Sequence, residues 1–379
     1  MSDHSKDARA RGLALLAFAV LASLAVSACT SSGGAGAGGG GGSGGGAGTK
    51  AVLDTAKAVE ASIVTSDGGM IGLKTDEFVA RVTFPLDALA TDTVLVATPL
   101  TAAPGQDDKT LVKGFQIEEK GTGAGPKLAY PAYIEMVVAQ ELPEGFSLVS
   151  YKPDGSFDVL PTKVKVGKGV SAIFALAPHF SPMGGRNVGK EAADKARDQF
   201  SDYNWVVWVR GKASGSNGPL QQTVYLTMRA VNGGGDIAGD YTGDAQIMST
   251  NTGNFGPMKT DSTQTGKSDS VNITLTEGDP LAPLTPADPL APLEPDPLAP
   301  LTPADMPSWF GSGSITMSAM AVTGTASGQI GAYGGAGPTK DTSTLPVTLQ
   351  VTGTQVSMDV SGLPIGKATF KGYVIGQGK

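Results

Sequence analysis

Cysteine and histidine are almost missing from this chain of 379 residues, which contains one cysteine and two histidines. The single cysteine, Cys29, excludes a disulfide bond within the chain. The histidines are His4 and His179, and no nucleophile motif such as Gly-x-Ser-x-Gly accompanies His179. Because catalytic triads and transition-metal sites depend on such residues, we predict no catalytic residues, no cofactor and no metal site.

Charge is also scarce, since charged residues make up 17% of the chain and the formal net charge is −7. The basic residues form no cluster interleaved with aromatic residues, so we predict no nucleic-acid partner. Glycine and proline are abundant, with 54 and 25 residues. This composition favours many short strands and turns over long helices. The predicted fold class is therefore mainly β.

A long apolar run is missing near the start of the chain. The apolar stretch at residues 12–26 is shorter than the roughly 20 residues that a membrane-spanning helix needs, and it follows a basic segment. This pattern predicts a signal peptide over residues 1–28. The signal peptide and Cys29 meet in the sequence VSAC, which resembles the lipobox of bacterial lipoproteins. The resemblance implies that Cys29 is the first mature residue and that acyl chains such as palmitate bind it to the membrane.

A glycine tract follows Cys29. Residues 33–48 contain only Gly, Ala and Ser, so we predict a flexible tether over residues 29–49 with a reach of about 25 Å. An Asp directly after Cys29 would resemble an inner-membrane retention signal. This chain has Thr30 at that position, and the absence of the Asp favours an outer-facing surface. The predicted location is extracytoplasmic and lipid-anchored, at the cell membrane or the outer membrane. The alternative is an ordinary secretory leader with an incidental cysteine.

Two β regions make up the rest of the chain. Helical patterns occur at residues 49–59 and 187–201, the second with small and apolar residues spaced for one face. We therefore predict a β-sandwich domain over residues 50–185, a linker helix over residues 186–202 and an antiparallel β domain over residues 203–379.

Several motifs in the first β region resemble a known module. A Gly-Gly pair at residues 68–69 is followed by VTFPLDAL at 82–89, TVLV at 93–96 and His-Phe-Ser at 179–181. This arrangement resembles the ZU-type β-sandwich module of ankyrins and netrin receptors. The resemblance implies a structural or protein-binding module without catalytic residues, in which the histidine belongs to the fold. The polar, Gly-rich stretch at residues 101–127 leaves the strand order in the middle of this domain open.

The second β region opens with WVVWV at residues 205–209, which is apolar on both faces and predicts a central strand. Some eight or nine antiparallel strands are predicted for this region in all. They fit a sandwich or a closed barrel, and periodicity does not distinguish the two; we prefer a barrel-like domain. Asp236, Asp240 and Asp244 are spaced too widely along a strand for one calcium ion, so a solvated face is expected. The TGKS sequence at residues 265–268 lacks the first glycine of a phosphate loop, and we predict an ordinary loop.

A proline-rich insert interrupts this domain at residues 279–305. Its sequence, DPLAPLTPADPLAPLEPDPLAPLTPAD, repeats one unit, and prolines recur at every third position from Pro280 to Pro295. This period is that of the polyproline II helix and places leucines along one edge. The insert is then either a low-complexity loop, which costs little closure entropy, or a functional segment. A functional segment would be a ligand for an aromatic-lined groove or a spacer packed along the protein's own surface. The candidate interaction residues are the leucines of the insert, Leu281, Leu284, Leu290, Leu293, Leu298 and Leu301.

These features predict a protein that is not an enzyme. Our first hypothesis is a lipid-anchored surface protein whose β domains bind a protein or a cell-envelope partner, as an adhesion or scaffolding module. The second is a carrier of a small apolar ligand or lipid in the C-terminal β domain. The third is a hydrolase of envelope polymers, which would need two neighbouring carboxylates.

Overall fold

The chain is mainly antiparallel β-sheet, as the composition predicts. In the computed structural model the described residues belong to one compact unit. The structure describes residues 50–217, 219–255, 258–277, 309–328, 331–339, 343–363 and 365–378.

The first β region folds into two sheets packed face to face. One has the strand order β1-β5-β6-β12-β8-β9, with β2 also paired to β5, and the other has the order β10-β11-β7-β4-β3. We call them the seven-stranded and the five-stranded sheet. Their facing sides share one core, which includes Phe84, Phe115, Ile134 and Leu148. The strands are β1 (Val52–Leu53), β2 (Val59–Ile63), β3 (Gly69–Lys74), β4 (Phe78–Phe84), β5 (Thr93–Ala102), β6 (Thr110–Glu119), β7 (Lys127–Val138), β8 (Phe146–Tyr151), β9 (Phe157–Val159), β10 (Thr162–Gly167), β11 (Val170–His179) and β12 (Met183–Asn187).

Two features of this region differ from the sequence-based expectation. The helix expected at residues 49–59 is wrong: strands β1 and β2 lie there, separated by a 3₁₀ turn at Thr55–Lys57. Pairing with β5 offers these residues a complete hydrogen-bond ladder, whereas an isolated helix of this length is marginal. The stretch at residues 101–127 contains β6, which pairs with β5 and β12 and joins the two halves of the seven-stranded sheet.

The predicted linker helix is present as α1 (Lys190–Ser201). Its buried residues are Ala193, Ala196 and Phe200, which recur at intervals of three and four and therefore lie on one side of the helix. Phe200 packs against Trp205, with ring centroids 5.5 Å apart. The helix thus connects the two β regions and also contributes to the core between them.

The second β region is a closed barrel of eight antiparallel strands, so the barrel expectation is confirmed over the sandwich. Neighbours in the sequence are neighbours in the barrel, and β21 pairs with β13 to close it. Strand β18 pairs with the second half of β17 and lies outside the ring. The strands are β13 (Asn204–Asn217), β14 (Leu220–Asn232), β15 (Gly239–Phe255), β16 (Met258–Glu277), β17 (Trp309–Gly328), β18 (Gly331–Thr339), β19 (Ser343–Thr352), β20 (Gln355–Leu363) and β21 (Gly366–Gln377).

Alternation along the strands determines the two faces of the barrel. On β14 the residues from Val224 to Ala230 at even positions are buried, whereas Thr223, Tyr225 and Thr227 are half-buried or exposed. Inward-facing residues of the other strands continue the same apolar cluster, which includes Val207 on β13. These residues form one packed cluster inside the part of the barrel that the structure describes, as expected for a barrel of this size.

The TGKS sequence at residues 265–268 lies within β16, so the loop expected there is wrong. The ladder between β16 and β17 is irregular around Lys267 and Ser268. The β15–β16 ladder on the other side of β16 also has a register shift opposite these residues. The residues therefore form a strand irregularity in the barrel wall.

Candidate functional site

The residues that the sequence analysis selected lie outside the part of the chain that the structure describes. This applies to the predicted lipidation residue and to the leucines of the proline-rich insert. The strands on either side of the insert are described, since Glu277 at the end of β16 pairs with Trp309 at the start of β17. The insert therefore leaves and re-enters the barrel at one place. The residues concerned are Cys29, Leu281, Leu284, Leu290, Leu293, Leu298 and Leu301.

The five-stranded sheet turns its outer face to one end of the barrel, and we call this contact the joint. Val79, Tyr133 and Phe174 on that face belong to the same hydrophobic cluster as the barrel interior. The ring of Tyr133 meets the ring of Trp205 edge to face, with centroids 6.2 Å apart. The sandwich and the barrel therefore share a core.

A buried ion pair lies within the joint. Arg81 on β4 and Glu135 on β7 are cross-strand partners, and both side chains are 2% exposed. The Arg81 Nε donates to Glu135 Oε2 at 2.8 Å, and an Nη of the same guanidinium donates to the same oxygen. Both donors therefore contact one carboxylate oxygen, and the contact places a charged pair inside an otherwise apolar layer.

Burial dominates the electrostatics of this pair. It raises the pKa of Glu135 to about 7, although Arg81 acts in the opposite direction. Within the described structure, Glu135 Oε1, Thr83 Oγ1 and the Trp205 indole nitrogen are buried without a hydrogen-bond partner. Burying a polar atom without a hydrogen-bond partner costs free energy of folding. The joint therefore combines apolar packing with a few destabilising polar atoms.

Two further ion pairs connect strand β10 with the barrel. Lys163 pairs with Asp236, which lies before β15, and Lys165 Nζ lies 2.7 Å from Glu277 Oε1. The solvated face expected for the three aspartates holds only in part for Asp236, whose side chain is half-buried, with 32% exposed, beside Lys163. Asp240 accepts a hydrogen bond from Thr274 at 2.6 Å. Asp244 is exposed.

A groove runs between helix α1 and strand β10, and we call it the α1–β10 groove. Its volume is about 220 Å³. Its lining is mixed, and the polar residues are Lys190 and Arg197 from the helix, Glu144 from the loop before β8 and Thr162 on β10. Lys190 pairs with Glu144 at 2.5 Å, and Arg197 pairs with Asp194. The apolar lining consists of Pro143, Phe146, Val164, Val166 and Ala193.

Other features that could indicate chemistry are few. His179 is exposed at the end of β11, where its ladder partner is Lys127. No group of three or more His, Cys, Asp or Glu residues that could hold a metal ion occurs in the described ranges. A search of the same residues finds no helix that is long and apolar enough to cross a membrane.

Sequence reasoning missed the joint and the groove, although each had a signal. Arg81 and Glu135 are single charges within the apolar strands FVARVTF and YIEMVV, which is unusual for strands buried on both faces. Strand β10 has alternating lysines and valines, typical of a strand with two different faces. The partners of the β10 lysines are Asp236 and Glu277. They could not be found in the same way, because they are distant from β10 in the sequence.

Comparisons with family models, with curated proteins and with solved structures give no match to this chain.

Proposed function

We propose that this chain is a lipid-anchored, extracytoplasmic surface protein that acts without catalysis, as a binding, adhesion or scaffolding module. The observation that carries the proposal is the basic and apolar leader that ends in VSAC at Cys29, followed by a tract of Gly, Ala and Ser. Together these features describe an acylated cysteine joined by a flexible tether to a folded body.

The geometry of the folded body supports a binding role. The sandwich and the barrel share one hydrophobic cluster, and the described inward-facing residues of the barrel pack against each other. A rigid body with filled cores presents strand edges, loops and surface grooves to a partner. A carrier for an apolar ligand would need interior volume instead.

Three buried or half-buried carboxylates are engaged with cations. Glu135 binds Arg81, Asp236 binds Lys163 and Glu277 binds Lys165. A pair of catalytic carboxylates needs one free acid and one free base on either side of a substrate. These pairings support the non-catalytic role over the hydrolase.

Metabolic labelling tests the anchor. The full chain is expressed with a clickable fatty acid, and the membrane and soluble fractions are compared for the wild type, Cys29→Ala and the control Thr30→Ala. We expect label and membrane association in the wild type and the control, and loss of both in Cys29→Ala, because one sulfur carries the acyl chains. An unlabelled wild-type chain, or a labelled Cys29→Ala chain, would refute the proposed anchor.

A further inference from the structure

The α1–β10 groove combines apolar and charged residues at the edge of a sheet. Strand β10 pairs with β11 and is the last strand of the five-stranded sheet on that side. Val166 in the groove is 55% exposed, the largest exposed fraction among the large hydrophobic residues recorded for the described chain. An exposed apolar residue on an edge strand beside a groove is typical of a surface that another segment covers.

The proline-rich insert begins beside the strand that borders this groove. Lys165 lies on the face of β10 opposite to the groove residues Val164 and Val166, and its ammonium group binds Glu277, the last described residue before the insert. The insert therefore has to pass around the free edge of β10 to reach the groove. The last described residue before the insert and the first one after it are neighbours, because Glu277 pairs with Trp309. The insert is therefore attached to the barrel at the side where the barrel meets β10.

The chemistry of the insert matches that of the groove. Its leucines and prolines recur with a period of three, so a polyproline II helix carries an apolar edge for the apolar residues of the lining, Val164 and Val166 among them. It contains five acidic residues and no lysine or arginine, while Lys190 and Arg197 line the groove. The acidic residues are Asp279, Asp288, Glu294, Asp296 and Asp305.

We propose that residues 279–305 dock in the α1–β10 groove of their own chain, with leucines on Val164 and Val166 and acidic residues towards Lys190 and Arg197. An extended polyproline II segment advances about 3.1 Å per residue, so half of the insert reaches about 40 Å from its attachment point. The groove lies within that reach, because its strand is in direct contact with Glu277. The docked segment covers the exposed edge of the sheet, and its occupant is a part of the same molecule.

Photo-crosslinking in the full chain tests the proposal. Val166 is replaced by the photoreactive residue p-benzoylphenylalanine, which its exposed position tolerates, and crosslinked peptides are identified by mass spectrometry. The matched control carries the same residue at Val52, which is 53% exposed on a strand of the other sheet. We expect Val166 to crosslink to a peptide from the insert in a product of monomer mass, and we expect no such product from Val52.

Each other outcome overturns the proposal. Insert peptides in a product of dimer mass would mean that the groove binds the insert of a second copy. Crosslinks to another protein or to no peptide of the insert would mean that a different occupant, or none, fills the groove. Equal yields of insert peptide from Val166 and Val52 would indicate random contact.

A second set of variants tests which edge of the insert docks. Replacing Leu281, Leu284, Leu290 and Leu293 by Ser removes the apolar edge without touching the folded body, and we expect the crosslinking yield from Val166 to fall about tenfold or more. The control replaces Ala282 and Ala291 by Ser on a different edge of the same helix and keeps the yield. An unchanged yield in the leucine variant would overturn the proposed orientation.

Discussion

Burial controls the charged pair at the centre of the joint. Arg81 and Glu135 are almost completely enclosed, and loss of water contact is the main reason that the pKa of Glu135 rises to about 7. The ordinary value for a glutamate is 4.5, so the folded chain binds this proton more tightly than the unfolded chain does. At the scale of the residue, stability and pH are therefore linked.

We predict that stability decreases as the pH rises from about 5 to about 8. The contribution of Glu135 is fully present below pH 4.5 and is lost as the pH passes 7, with a total of roughly 3 kcal/mol. Urea unfolding at several pH values measures this slope. The slope should become much smaller in Glu135→Gln, which cannot titrate.

Glu144→Gln is the control for this prediction. Glu144 is exposed, and its hydrogen bond with Lys190 lowers its pKa, so its titration lies outside the range from pH 5 to pH 8. This variant should keep the slope of the wild type. A wild-type chain whose stability is constant over this range would contradict the prediction.

The ion pair also shows how far sequence reasoning reaches at single positions. The strands that contain Arg81 and Glu135 were predicted from their apolar residues, but the pairing was not. Pairing depends on the register of two strands whose paired residues, Arg81 and Glu135, are 54 positions apart in the sequence. Neither alternation nor propensity contains this information, since each is a local property.

At the scale of the element, one hairpin turn joins the barrel to the sandwich. Gly353 lies between β19 and β20 and has a φ of +62°, which favours glycine. A Cβ atom at this position would lie 2.4 Å from Thr83 Oγ1 and 3.3 Å from Arg81 Nε. The turn is therefore packed directly against the polar centre of the joint.

We predict that Gly353→Ala destabilises the protein more than Gly366→Ala. Gly366 also has a positive φ, of +88°, but a Cβ atom there would meet no atom within 4 Å. The backbone strain of about 1 kcal/mol applies to both variants, and overpacking adds about 1–3 kcal/mol at Gly353. Denaturant unfolding measures the difference. Equal losses would show that the turn is not tightly packed on the sandwich.

Among the elements, the strands with a clear apolar pattern were predicted well, and those without one were not. The sequence WVVWV predicted a central strand, and Trp205, Val206, Val207 and Val209 are indeed buried in β13. Strands β1 and β6 were missed because their residues are mixed in polarity and they form through pairing with β5. Helix α1 was predicted because its buried residues repeat with the helical period.

At the scale of the whole molecule, the shared core makes the two β regions one folding unit. The cluster at the joint contains residues of the five-stranded sheet, of helix α1 and of the barrel. Unfolding one region would expose the apolar face of the other. The free energies of the two regions are therefore coupled.

We predict that the sandwich and the barrel unfold in one transition. Met136→Ala opens a cavity in the sandwich core, where Met136 is 1% exposed, at a cost of about 2–5 kcal/mol. This variant should lower the unfolding midpoint that Trp205 and Trp208 report from the barrel. Met248→Ala, on the outer face of the barrel where the side chain is 37% exposed, should change the midpoint little.

Circular dichroism follows the two regions together in the same experiment. In the Met136→Ala variant it should give the same lowered midpoint as tryptophan fluorescence. Two separate transitions, with the fluorescence midpoint unchanged from the wild type, would contradict the coupling and show that the barrel folds alone.

Local chemistry in the sequence was sufficient to predict the β class, the linker helix and the alternation of inward and outward residues, because composition and periodicity act over a few neighbouring positions. The barrel closure, the Arg81–Glu135 pair and the contact of Lys165 with Glu277 required the folded chain. Each of these joins residues that are far apart in sequence. Their proximity follows from strand register and from the packing of one sheet on the end of the barrel.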